Sequence, residues 1–225
     1  MSHPNVKAGG KILPIVRWGT PTLHRELRPA TCFDTKDLDA LIADMFATMY
    51  AADGAGLGAN QVGVDLKMFV YDLTDSKGAR SWGAVCNPVI ESSSPRRVID
   101  GDRQYAAAAG MMLQADSGGQ PHAQQTQTMT EGCLSYPGVS ASVSRRRSIT
   151  INGLDQRGKA LKIHASGLLG HVLQHEVDHL NGIVYGDRVP PAVRRNMDRE
   201  YRALEGKRSY PDDWPATQSN HKWLI

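Results

Sequence analysis

The chain has 225 residues, 40% of them hydrophobic and 22% charged, an ordinary soluble globular composition whose length fits one domain or one domain with an insertion. Its 26 Lys and Arg against 23 Asp and Glu leave a net charge of +3, too small an electrostatic footprint to indicate specific nucleic-acid binding. Three cysteines, an odd number in a chain long enough to bury its own core, argue for a reducing compartment and against a disulfide scaffold.

The opening MSHPNVKAGGKILPIVRW holds no apolar run of about seven residues ahead of a small-residue cleavage site. Nowhere does the chain approach the roughly 18 apolar residues of a spanning helix, so a cytoplasmic protein without membrane attachment is expected. A first helix is predicted from about Asp34 to Asp53, where Leu38, Leu41, Ile42, Met45, Phe46 and Met49 recur at helical spacing. Asp34 or Thr35 can cap it, and Gly54 can close it in a left-handed conformation. The Gly-rich loop GAGLGANQVG follows, then strands LKMFVYDL (66–73) and Trp82 to Ile90.

From Ser92 to Thr130 the pattern fails. SSSPRR, a short Ala run and SGGQPHAQQTQT predict an exposed, mobile insertion, with one or two helical turns around Tyr105 to Leu113. SITINGLD (148–155) and KALKIHA (159–165) then predict a hairpin turning through Asp155-Gln156-Arg157-Gly158. Ser166 can cap a helix from about Gly167 to Leu180, closed by Asn181 or Gly182. A last charged helix starts at Pro190 or Pro191 and ends near Gly206. Residues 1–190 read as one catalytic domain, and 191–225 as a terminal helix with a Pro-broken surface tail.

The strongest chemical signal is His175-Glu176-Val177-Asp178-His179. Residues four apart share a helix face, so both imidazoles can reach one cation while Glu176 faces a water bound to it. Five residues of this kind also occur by chance in polar helices, but Leu168, Leu169, Val172 and Leu173 make this helix apolar and half-buried. A catalytic site needs a third protein ligand and an open position, and Gly182 to Arg199 offers no convincing spacing for one. Upstream, Cys133 follows Gly132 in a polar loop that presents a thiol, whereas Cys32 and Cys86 fit small structural side chains.

Three segments together, GAGLGANQ (54–61), EGCLS (131–135) and QHEVDHLNG (174–182), resemble the three motifs of the peptide deformylase family in their order. The similarity spans most of residues 14–190, and the insertion at about 92–130 is longer than the family's usual one. The resemblance implies an α+β fold with antiparallel strands around the central HEVDH helix. It implies removal of the formyl group from N-terminal formylmethionine of newly made proteins, with nascent chains as substrates and ribosome association as a further expectation. Cys133, His175 and His179 would bind one divalent metal. Ferrous iron is the ion the resemblance implies, and zinc, nickel or cobalt also suit a Cys/His donor set. Glu176 would act as general base and acid on a hydroxide nucleophile generated there. The Gln61 amide and the Leu134 backbone N–H would be the oxyanion donors.

On the same resemblance, Gly56 and its neighbour Leu57 would pair with an extended peptide as an added strand. Leu168 and Val172 share the His175 face, where either a pocket for the substrate Met or plain core packing is open. Gly58 stands where the family usually has Ala, which predicts a looser loop around Gln61. VSASVS lacks an Arg that some members carry, and Glu131 and Arg145 can form an ion pair or Arg145–Arg147 can be a solvated edge. A zinc endopeptidase and a deformylase-like, inhibitor-binding protein of weak activity are the competing expectations.

Overall fold

The structure, a computed structural model, describes residues 9–75, 77–91 and 125–206. The predicted helical turns at 105–113, most of the predicted insertion and the tail from 207 lie outside the described residues. Helix α1 (Lys36–Ala51) begins where Thr35 Oγ1 accepts the Leu38 N–H at 3.2 Å, with Asp37 and Asp39 in its first turn, both favourable at a helix start. Asp53, not Gly54, makes the left-handed turn beyond its end, at φ 56°.

Strands β1 (Gly56–Gly58), β2 (Met68–Thr74), β3 (Arg80–Ile90), β6 (Ser148–Leu154) and β7 (Ala160–Ser166) form an antiparallel sheet in the order β1-β2-β3-β6-β7. Alternation along β2 explains its unbroken apolar run. Met68 and Val70 join Met45, Phe46 and Met49 of α1, while Phe69 and Tyr71 join Val172, Leu173, Val177 and Leu180 of helix α2 (Gly167–Leu180). The sheet is therefore buried on both faces, with α2 against one of them. The predicted hairpin is β6–β7, and Gly158 at φ 76° makes its turn.

A second sheet pairs β4 (Thr126–Glu131) with β5 (Ala141–Arg146), Glu131 opposite Ala141 and Met129 opposite Val143. This corrects the expectation that the insertion runs to 130. One face of the pair is solvated, so a half-polar sequence suffices. Helix α3 (Pro191–Gly206) packs Met197 and Tyr201 onto Tyr136, Val143 and Tyr185, which joins residues 191–206 to the catalytic unit. Cys86 is buried as expected, but Cys32 is exposed in an extended surface segment. No helix among the described residues is long and apolar enough to cross a membrane.

Candidate active site

Helix α2 carries both histidines one turn apart on one face, and their Nε2 atoms lie 3.2 Å from each other. The loop between β4 and β5 brings Cys133 Sγ to 3.2 Å from His179 Nε2. The sulfur and the two ring nitrogens, which could together hold one ion, all lie within 4.8 Å of one another. Aromatic rings back that loop: Tyr136, three residues after Cys133, packs on Trp18 at 4.3 Å and on Tyr201 at 4.6 Å between centroids. Its hydroxyl donates to Asp198 at 2.9 Å. One cysteine sulfur and two imidazoles are a donor set suited to a borderline or soft divalent ion, and His179 is held neutral by burial and by the cations around it, the form that coordinates.

Behind the ligands sits a buried charge network. Glu131 is fully buried and takes hydrogen bonds from Arg145 Nη2 and His175 Nδ1, each at 2.9 Å, and from Arg145 Nε. His171 Nε2 lies against its other oxygen. Burial alone would push this carboxyl up, but those donors hold it well below the usual range. Arg145 also donates to Asp178 on α2 at 2.8 Å, and Arg188 grips the same carboxylate at 2.9 Å. Arg145 is thus the buried ion-pair partner of Glu131, while Arg147 is exposed. Fixing His175 from behind orients its other nitrogen.

Glu176 points to the opposite side. Its carboxyl is buried, Oε2 has no hydrogen-bond partner among the described residues, and burial pushes its pKa up to about 7. A β-carbon at Gly56 would collide with that carboxylate, so glycine is required for β1 to pass so close. Gln61 is fixed by accepting the Gly58 N–H at 2.8 Å, and its amide faces Cys133 Sγ at 3.5 Å and Ser135 Oγ at 3.3 Å. The Leu134 N–H gives no hydrogen bond to another backbone group among the described residues. A β-carbon at Gly58 would sit 2.9 Å from Asn60 Oδ1 and 3.3 Å from His179 Cβ. The missing methyl makes room for close contact, which Asn60 uses to donate to the His179 carbonyl at 2.7 Å.

A cleft of about 200 Å³ opens beside these groups, bordered by Gly54, Gly56, Gln61, Cys133, Leu134, His175 and Glu176, with Gly138 to Ser140 opposite. Leu57 is fully buried in the α1 core, so its side chain is not offered to the cleft. Leu168 and Val172 do not border the cleft. Val172 turns into the sheet core with Phe69 and Val85, and Leu168 is 39% exposed at the first turn of α2. Their shared spacing with His175 does not distinguish the side of the helix facing β2 from the side facing the cleft. Sequence inspection gave no role to His171, Asp178, Arg188 or Asn60, although Asn60 and Asp178 lie inside the quoted motifs and His171 stands one turn before His175.

The family model for polypeptide deformylase matches residues 12–195. Peptide deformylase 1 of Streptomyces avermitilis is 37% identical over 203 residues, 90% of this chain and 80% of that protein. The peptide deformylase of Mycolicibacterium paratuberculosis is 38% identical over 195 residues, 84% of this chain and 86% of that protein. A crystal structure of a peptide deformylase from Legionella pneumophila superposes with a TM-score of 0.69 at 31% identity, over 89% of this chain and 99% of that one. The chain belongs to the polypeptide deformylase family, metal-dependent amide hydrolases that remove the formyl group from protein N-termini.

Proposed function

We propose that Cys133, His175 and His179 hold the catalytic cation, ferrous iron in the first instance, and that the substrate is the N-formylmethionyl end of a nascent chain. The observation that carries this assignment is the convergence within 4.8 Å of a thiol and two imidazoles from segments far apart in the chain. A divalent cation held there supplies Lewis acidity and makes hydroxide available near neutral pH. Glu176 takes a proton from the attacking water at its partnerless Oε2 and delivers it to the departing amine nitrogen. Water's oxygen forms the new bond to the formyl carbon, the C–N bond breaks, and formate and a free N-terminal amine leave. A carboxyl titrating near 7 suits both halves of that transfer.

Gln61 Nε2 and the Leu134 N–H donate to the oxyanion that develops on the formyl oxygen; removing one such donor typically costs about 10²–10³ in turnover. Gly56 and the Leu57 backbone belong to β1, which among the described residues is an edge strand paired with β2 alone, and an extended peptide can add there. Such a substrate implies work in the cytoplasm, on chains emerging from the ribosome. The test is formate release from formyl-Met-Ala-Ser by anaerobic, iron- or nickel-loaded protein. Turnover is expected in the wild type and is lost in Glu176→Ala with metal content retained. No formate release, or cleavage of an internal peptide bond instead, would overturn the proposal.

A further inference from the structure

Asn60 is fully buried in the one-turn 3-10 helix Ala59–Val62, directly before Gln61. Its Nδ2 donates to the His179 carbonyl at 2.7 Å and to the Thr22 carbonyl at 3.4 Å. Turning the amide over would set oxygen against oxygen at both carbonyls, so its orientation is fixed. Its Oδ1 then has no hydrogen-bond partner among the described residues. A buried acceptor left without a donor is costly to a fold, and capping the carbonyl at the end of α2 needs only the N–H groups.

His179 presents the complementary gap. Its Nδ1 is buried and has no partner among the described residues, whereas His175 Nδ1 donates to Glu131 at 2.9 Å. Nε2 is the nitrogen of His179 that faces Cys133 Sγ and His175, so a cation held there leaves the proton on Nδ1. A ligating histidine almost always gives that second N–H to an acceptor, which sets its tautomer and ring orientation. Asn60 Oδ1 lies 2.9 Å from the position a β-carbon of Gly58 would take, and His179 Cβ lies 3.3 Å from the same position. The amide oxygen is therefore on the side-chain side of His179. We infer that Asn60 is a positioning residue for His179: its NH₂ group fixes the backbone of the ligand, and its oxygen receives Nδ1–H when Nε2 ligates. The same side chain ties the turn carrying Gln61 to the last turn of α2, which keeps the oxyanion donor in register with the ligand. The inference rests on the metal assignment above.

The experiment measures cobalt(II) affinity by chelator competition in the wild type and in Asn60→Leu, which keeps the branched shape and removes both polar ends. Affinity is expected to fall about 10- to 100-fold. The visible spectrum of the bound ion should shift, and kcat for formyl-Met-Ala-Ser should fall at little-changed KM. Loss of metal-free stability alone, with cobalt affinity and spectrum unchanged, would mark a helix-end cap and overturn the role. A reading in the zinc-loaded wild type does not depend on the variant folding. There the His179 Nδ1–H proton should give a nuclear Overhauser contact with the Asn60 side-chain NH₂, and absence of that contact would overturn the inference. Cobalt affinity left unchanged by Cys133→Ser would instead overturn the metal assignment.

Discussion

Replacing Glu131 with Gln isolates what the buried network behind His175 does. Gln keeps the shape and one acceptor oxygen, but its NH₂ group faces donors. Arg145 Nη2 and His175 Nδ1, both 2.9 Å from Oε2, and Arg145 Nε and His171 Nε2 at the other oxygen cannot all be accepted by an amide. Breaking a buried pair by removing one partner costs about 3–5 kcal/mol. Arg145 keeps Asp178 at 2.8 Å, which puts the loss in unfolding free energy at the low end, about 3 kcal/mol. His175 also loses its orienting acceptor, so metal affinity should fall about 10- to 100-fold. Urea unfolding of the metal-free protein reads the first effect, and chelator competition with cobalt(II), whose visible spectrum reports ligation, reads the second. Adding Arg145→Leu should restore part of the lost stability, because it removes a buried cation left with Asp178 as its one charged partner, and Asp178 keeps Arg188. A Glu131→Gln protein within about 1 kcal/mol of wild type, with unchanged cobalt affinity, would refute both the energetic and the orienting role.

Two further outcomes are expected. In brief iodoacetamide labelling near pH 8, exposed Cys32 is modified and Cys86 is not, since burial pushes its thiol up to about 12. Cys133 labelling rises when chelator strips the metal, and mass spectrometry that finds Cys133 equally labelled with and without metal counts against its ligation. In the metal-free protein, burial pushes Glu176 up to about 7 when folded, against its ordinary 4.5. The folded state then holds a proton that the unfolded state releases between those values. Its contribution to stability is full below about pH 4.5 and is lost as pH rises through about 7, by up to about 3 kcal/mol. Glu176→Gln should flatten the fall in stability with pH over that window, and parallel curves for the two proteins would exclude the assignment.

The elements with strong periodicity are legible in the sequence: α1 and α2 from apolar positions at helical spacing, the β6–β7 hairpin from its Gly-ended turn, and α3 from Pro191 onward. The β4–β5 pair is not, and for a physical reason. Its inward positions include Glu131 and Arg145, so the usual sign of a buried face, an apolar residue at every second position, is broken where the face is most buried. Charged residues belong inside only when paired, and pairing is a tertiary fact. The same holds for Asp178 and Arg188, which look like ordinary helix and loop charges until Arg145 arrives between them. The motif residues were readable because metal chemistry restricts residue type and spacing. The neighbours that orient them were not, because hydrogen bonding to a ligand's back side restricts only position in space.

Glu131 and Glu176 show how one small volume gives two buried carboxyls opposite environments. Both carboxyls are buried within a few residues of the same ligands, and burial pushes both toward the neutral form. Glu131 is surrounded by donors from Arg145, His175 and His171 and stays ionised; Glu176 has an oxygen with no partner among the described residues and is pushed to about 7. The number of donors supplied, and not depth, separates them. A carboxylate saturated with hydrogen bonds has no lone pair left for a substrate proton, whereas one left without them is ready to accept it. The glycine at 56 belongs to the same logic: any side chain there would occupy the space into which Glu176 must keep an unblocked oxygen.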